Sequence, residues 1–476
     1  MQIVPKPKQY SENGRITIPP EITADETLLF CVKAFSRMVK KLYGIYLNQG
    51  DNGIKLCCKA DLPADAYEID GATIFASSPE GARYGLASLL QLMEVNEDKS
   101  ITLVNAKFAE KPDKDFRGFM SDLARQWHPV EVIIEYIDLC YINKIKYLQL
   151  HFTDNPSWTL PFDAFPKAAT PGRSYTKQEI AFIVEYAHEA GVELVPEFEG
   201  IGHSEALIDT YPELFGNVFE DEMDNRAAVS AHADALRAAK DRLMCIGRPD
   251  IFQNIRAFLK EICETFVYSK YIHVGCDEAR HENWAKCTLC KAYMEKHNIP
   301  TTLALYSHFV KKVTDICLEL GKTPIVWEGF PREGADDISR DVIVMEFESY
   351  YQLAPDLLEQ GFRVINTSWK PMYILPPSRK DRQWTVIEKD WNVHNWQHFA
   401  DFSPAFKNPI NVTPTDMVLG GMLCQWECTP EQEKGSFLTN LPMAADRLWN
   451  EKSYYSAEEF ESACKKLRSL QSKLTQ

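Results

Sequence analysis

From residue 116 onward the chain alternates short apolar runs with longer amphipathic stretches, and that rhythm leaves few architectures open. Eight runs fall at 116–120, 145–152, 192–198, 271–274, 324–327, 342–347, 363–367 and 417–424. Short continuous apolar runs suit strands covered on both faces, and the stretches between them are long enough for the crossover helices that parallel strands require. Eight such units predict a (β/α)8 TIM barrel, an α/β fold that needs about 250 residues, so 113–476 holds one with insertions. In the first connection Val132, Ile133, Tyr136, Ile137 and Cys140 recur at helical spacing behind Pro129, a residue suited to an early helical position.

Residues 1–112 read as a smaller α/β domain, strand-like segments of a mixed sheet around one helix at 79–93, in which Ala82, Leu86, Leu89, Leu90 and Met93 share a face. The polar, proline-containing stretch 111–115 marks the boundary. The segment 216–249 is polar in its first half and reads as an insertion carrying a helix near 225–241. Beyond Cys424 the chain is largely helical, ending in a helix at 457–474.

A composition of 45% hydrophobic and 12% aromatic residues supports cores of this size. A formal net charge of −16 argues against a nucleic-acid surface or a polybasic membrane anchor, both of which need clustered Lys and Arg, and favours a neutral substrate. No apolar run approaches the ~20 residues that cross a bilayer, and the first residues lack the apolar core of a leader. The chain as given is therefore expected to be soluble and cytoplasmic; a periplasmic or secreted protein stripped of its leader would read the same. Thirteen scattered cysteines suit buried thiols better than a disulfide framework. Cys287 and Cys290 form a C-x-x-C, but no second pair or His-x3-5-His partner accompanies them, so they read as structural thiols rather than a zinc site. Neither a metal nor an organic cofactor is implied.

Barrel enzymes build their sites from the carboxyl ends of several strands, so the polar residues ending these runs carry the functional information. The first run opens with Arg117 and leads to Asp122 and Arg125; the second ends in His151-Phe152-Thr153-Asp154; the third in Glu197-Phe198-Glu199 before Gly202-His203. The fourth ends in Gly275-Cys276-Asp277-Glu278 and the fifth in Trp327-Glu328, while the seventh leads to Trp369 and Tyr373 and the eighth to Trp426-Glu427. Any one of these alone is more often core packing or a structural ion pair. Gathered at one mouth, carboxylates, histidines, an arginine and indoles make a sugar pocket, the rings stacking on the apolar face of a pyranose. Asp277 beside Glu278 is the telling pair: adjacent carboxylates repel, and one is expected to keep its proton near neutral pH, as a general acid must.

These motifs resemble glycoside hydrolase family 20, the β-N-acetylhexosaminidases. The likeness spans nearly the whole chain: Arg117-Gly118 with Asp122 and Arg125, His151-x-Thr153-Asp154 with Trp158, Pro196-Glu197 with Gly202-His203, and His273-Val274-Gly275-x-Asp277-Glu278. The resemblance implies exo-acting, retaining hydrolysis of terminal β-linked N-acetylhexosamine from oligosaccharides or glycoconjugates, with the substrate's own acetamide as nucleophile. It implies Glu278 as general acid and base, Asp277 as partner of the acetamide N–H, and Tyr373 on the acetamide oxygen. It further implies His203 and Asp154 as a relay tuning Glu278, Arg117 on ring hydroxyls, and Trp327, Trp369, Trp426 and Glu427 around the sugar. The sequence departs from the family pattern at Asn155, Thr159, Glu199, Leu375 and the register of Glu427, which points to altered recognition of the outer hydroxyls. Two other readings stay open: a glycosidase using a protein nucleophile such as Glu199 or Glu427, and a sugar-binding protein without catalysis.

Overall fold

The structure is a computed structural model describing residues 1–219, 243–348, 350–378, 391–396 and 410–475. The helix expected at 225–241 lies outside the described residues. Eight parallel strands, Phe116–Asp122, Tyr147–His151, Glu193–Glu197, Tyr271–His273, Thr323–Trp327, Ile343–Glu346, Arg363–Asn366 and Val418–Gln425, pair in that order. The eighth pairs back to the first, from Gly420 opposite Phe116 to Gln425 opposite Ser121, and closes the barrel. The eight apolar runs are thus the eight strands. Inside, Phe116 stacks on Tyr147 at 4.4 Å between centroids, with Tyr271 at 5.5 Å from Tyr147, so the lower barrel is filled by rings.

Before the barrel lies a mixed sheet of eight strands, the longest being Ser11–Ile18 and Ile101–Glu110. Two helices pack on it rather than the one expected: Pro79–Leu92, and Phe30–Tyr43. The second was legible in principle, because Cys31, Ala34, Phe35, Met38, Val39 and Leu42 form a buried stripe; its lysines and arginine occupy the other face. Ser78 caps the Pro79–Leu92 helix, accepting from the amides of Glu80 and Gly81. From that helix Arg83 donates to the Ile145 carbonyl at 3.2 Å, and Lys144 donates to the Tyr67 hydroxyl at 2.8 Å. The smaller sheet is thereby docked on the amino ends of the barrel strands, away from the carboxyl mouth.

Pro129 is the N-cap of the helix Val130–Ile142, one position earlier than a first-turn proline. The chain ends in the helices Pro430–Trp449 and Ala457–Gln471, each opened by a capping box. Among the described residues no helix is long and apolar enough to cross a membrane. None of the thirteen cysteines is in a disulfide, and most are buried.

Candidate active site

The fourth strand stops at His273, and a sharp turn follows it. Gly275, Cys276 and Glu278 have φ of 60°, 73° and 46°, all left-handed. For Cys276 and Glu278 that conformation costs about 1 kcal/mol or more each, strain of a kind concentrated at functional sites. The turn fits only because three glycines surround it. A Cβ on Gly275 would run into the Glu199 carboxylate, one on Gly202 would lie 2.6 Å from the Asp277 carbonyl, and one on Gly329 2.6 Å from the Cys276 carbonyl. Asp277 is nearly buried, whereas the Glu278 side chain is 50% exposed, so the pair presents one inner and one outer carboxylate at the mouth.

Around this turn runs a network of charged groups. His203, itself at φ 45°, bridges three carboxylates: its Nε2 lies 3.3 Å from Glu278 Oε2 and 3.5 Å from Asp277 Oδ2, and its Nδ1 3.5 Å from Asp154 Oδ1. Asp154 is also held by Arg125 at 2.8 Å and by His151 Nε2 at 2.8 Å. The other nitrogen of His151 meets Glu197 at 2.7 Å, and Glu197 accepts from Gln149 at 2.8 Å and from the Trp327 indole at 2.6 Å. Each carboxylate of the network thus has a basic neighbour, the condition under which ionised groups persist away from water.

Aromatic rings complete the pocket. Trp426 lies 5.7 Å from Trp327 and 5.9 Å from Tyr373, and Tyr373 stands 6.2 Å from both Trp369 and Phe347. The Arg125 guanidinium sits 5.1 Å over the Trp426 ring. Glu427, left-handed at φ 60°, donates its backbone N–H to Asp122 at 3.2 Å beside Arg125. Glu328 is fully buried; it accepts the amides of Tyr350, Tyr351 and Gln352 and fixes the loop after the sixth strand.

Arg117 is the correction. It occupies the second position of its strand, at the amino end, roughly 16 Å of strand away from Asp122. There it donates to the carbonyls of Lys114, Asp115 and Lys144 and to the Tyr84 hydroxyl, packed over Trp449. It pins the smaller domain to the barrel and cannot reach a sugar at the other mouth; the arginine at the mouth is Arg125. We therefore expect Arg117→Ala to cost about 3 kcal/mol of stability through unsatisfied buried carbonyls, with KM unchanged. Arg125→Ala should instead raise KM by roughly 10- to 100-fold, the worth of a charge-assisted hydrogen bond. Thermal melts and steady-state kinetics on the two variants separate these roles, and an unchanged KM in Arg125→Ala would refute the assignment.

Protons are not distributed as the adjacent-carboxylate argument expected. Hydrogen bonding to His203 holds Glu278 below its ordinary range against the opposing effect of burial. Burial, then the Asp277 charge, pushes Glu199 well up, and burial, then the charge of Glu278, pushes Glu348 up to about 9. The proton-retaining carboxyls therefore lie behind and beside the pair. Glu348 was missing from the sequence candidates, although it follows the sixth strand where the strand-end rule would have looked.

Burial disfavours the His151 cation, yet Glu197, Asp154 and Asp122 outweigh it and push His151 up to about 10. A raised histidine stabilises the fold fully below its unfolded value of about 6.5, and that stability is lost as pH rises through the folded value. On the order of a few kcal/mol should thus disappear between pH 7 and 10. Urea unfolding at both pH values should show this loss in the wild type and a much flatter response in His151→Gln; equal slopes would contradict it.

A cavity of about 420 Å³ also opens at the opposite, amino end of the barrel, between Phe30, Arg83, His188 and Tyr268. None of the groups of the charged network around Asp277 and Glu278 lines it.

Known proteins resemble the chain over most of its length. The chain is 27% identical over 368 residues to a β-hexosaminidase of Akkermansia muciniphila, covering 73% of this chain and 71% of the relative. It is 25% identical to the β-hexosaminidase subunit beta of Rattus norvegicus, covering 90% and 80%. Against a longer β-hexosaminidase of Porphyromonas gingivalis, 27% identical, the match takes in 54% of this chain but only 34% of the relative. Among solved structures, an exo β-N-acetylglucosaminidase from Vibrio harveyi superposes with a TM-score of 0.79 at 20% identity, over 99% of this chain and 77% of that one. A β-N-acetylhexosaminidase from Bacteroides fragilis gives 0.79 at 20%, over 97% and 93%. The family description "Glycosyl hydrolase family 20, catalytic domain" matches residues 115–452, which takes in the barrel and all the groups at its mouth, and the chain belongs to that family of glycoside hydrolases.

Proposed function

We propose that this glycoside hydrolase is an exo-acting β-N-acetylhexosaminidase that retains anomeric configuration by substrate-assisted catalysis. The observation that carries the reading is the Asp277–Glu278 turn, with one carboxylate turned inward and the other outward at the mouth, and a third carboxyl, Glu199, behind Asp277 and kept protonated by burial. A neutral, fully buried acid is a poor nucleophile. Glu427 sits in a charged corner with Asp122 and Arg125.

In this reading the acetamide oxygen of the bound sugar attacks its own anomeric carbon while Glu278 protonates the departing oxygen, and an oxazolinium intermediate forms. Glu278 is ionised and half exposed; a sugar covering it removes water and lifts its pKa toward that of an acid able to donate. Asp277 accepts the acetamide N–H and balances the developing positive charge. Tyr373, whose phenol burial keeps protonated, donates to the acetamide oxygen. His203 passes the influence of Asp154 to Glu278. Trp327, Trp369 and Trp426 enclose a single terminal sugar, and Arg125 reaches its ring hydroxyls. Tethering the nucleophile to the substrate supports the mechanism physically, since well-oriented groups lower a barrier by on the order of 7–11 kcal/mol. Leu375 brings no carboxylate to the rim, which favours a relaxed choice between gluco- and galacto-configured sugars.

The test compares aryl β-glycosides of N-acetylglucosamine, N-acetylgalactosamine and glucose, together with N-fluoroacetyl analogues whose carbonyl is progressively less nucleophilic. Turnover should require the acetamide and fall steeply with each fluorine. Brisk hydrolysis of the glucoside, or a covalent glycosyl ester on the protein, would overturn the mechanism. Binding without hydrolysis of any of them would favour a lectin-like role.

A further inference from the structure

Three sulfurs meet at a point that the catalytic reading does not use. Cys287 is the N-cap of the helix Thr288–His297 and Cys290 lies in its first turn, so the C-x-x-C spacing places both thiols on one side of the helix start. The segment returning from the loop after the third barrel strand brings Cys245 between them. Its Sγ lies 3.6 Å from Cys287 Sγ and 3.6 Å from Cys290 Sγ, all three sulfurs fall within 4.8 Å of one another, and all three residues are fully buried.

These distances have a specific meaning. A disulfide needs about 2.05 Å, so the sulfurs are separate. Thiolates at three corners of a tetrahedron with metal–sulfur bonds of ~2.3 Å stand roughly 3.8 Å apart, which is close to the spacing found. The surroundings suit thiolates too: the backbone N–H of Val218 donates to Cys287 Sγ at 3.3 Å, and Asn217 Oδ1 lies 4.0 Å from Cys290 Sγ. Backbone contacts have closed around the cluster. Thr288 donates to the Val218 carbonyl at 2.8 Å, and Gly247 passes so near the Leu289 backbone that no Cβ would fit.

We propose that Cys245, Cys287 and Cys290 hold a structural zinc ion that ties the loop after the third strand to the loop after the fourth. Binding replaces up to three thiol protons by one Zn²⁺, which leaves a compact buried site with a modest net charge. The sulfur-rich tetrahedral set selects zinc over calcium or magnesium, which take oxygen ligands. The ion would sit one layer behind the catalytic turn. Trp284 donates to the Met244 carbonyl at 2.9 Å and packs 6.1 Å from Tyr306, whose hydroxyl donates to the Cys276 carbonyl at 2.9 Å and accepts from the Ala279 amide at 3.3 Å. Those last two bonds bracket Asp277 and Glu278.

Protein purified without chelators or metal columns should contain about one zinc per chain by elemental mass spectrometry, released stoichiometrically when a mercurial titrates the thiols. Cys245→Ser should lower that content at least tenfold, and cobalt(II) exchanged into the wild type should show the visible absorption of a tetrahedral thiolate site. Wild-type protein that carries no zinc and takes up neither zinc nor cobalt on dialysis overturns the proposal, as does a Cys245–Cys287 or Cys245–Cys290 disulfide in a non-reduced digest. Should Cys245→Ser fail to fold, the wild-type stoichiometry and the cobalt spectrum still decide. All three readouts are independent of hydrolysis, so they stand apart from the outcome of the glycosidase assays.

Discussion

Glu278→Gln is expected to lower kcat on alkyl N-acetyl-β-hexosaminides by about two to four orders of magnitude, the usual worth of a positioned general acid. Glutamine keeps the side-chain length and can still hydrogen-bond His203, 3.3 Å from the present carboxylate, so the left-handed turn should survive. What disappears is the proton. The loss should therefore depend on the leaving group: phenols of low pKa depart without help, so activated aryl substrates lose least in the glycosylation step, while alcohols lose most. The basic limb of the pH–rate profile, set by loss of this carboxyl's proton in its role as acid, should vanish with it. A uniform loss across leaving groups of widely different pKa, or wild-type rates, would remove Glu278 from the acid role.

The second large effect is expected for Asp277→Asn. Asp277 is 12% exposed, 3.5 Å from His203 and backed by the protonated Glu199, so its charge faces a part of the pocket from which water is largely excluded. A carboxylate there stabilises positive charge on the acetamide far better than the same group in water. Asparagine removes the charge while keeping the shape, and kcat should fall by roughly 10²- to 10³-fold, as for other preorganised electrostatic groups. The falsifying measurement is binding of a thiazoline mimic of the intermediate. Its affinity should drop in parallel with kcat, while affinity for the neutral N-acetylhexosamine product changes little. Equal losses for both ligands would mean that Asp277 only shapes the pocket.

The groups gathered at the mouth could be found in the sequence because strand ends are legible. Asp154, His203, Asp277, Glu278, Trp369, Tyr373, Trp426 and Glu427 lie past apolar runs and Trp327 ends one, and the closed barrel brings them to one mouth. Arg117 failed the same rule by position: it opens its run instead of ending it, and one strand length separates the two mouths. Glu348 satisfies the rule, two residues past the sixth strand, whereas Cys245 stands 42 residues from Cys287 with no local pattern to announce it.

The sequence by itself determined the barrel, because continuous apolar runs of strand length separated by helical stretches can bury both faces only in a covered parallel sheet. It also determined which residue types reach the carboxyl mouth. Tertiary structure alone decided where the protons rest, since the pKa values of Glu199, Glu278 and Glu348 depend on depth and on neighbours distant in the chain. It alone assigned Arg117 to a domain joint and Arg125 to the pocket, and it alone joined three thiols. Electrostatic and coordination energies depend on distances through space, which a one-dimensional pattern fixes only within a single strand or helical turn.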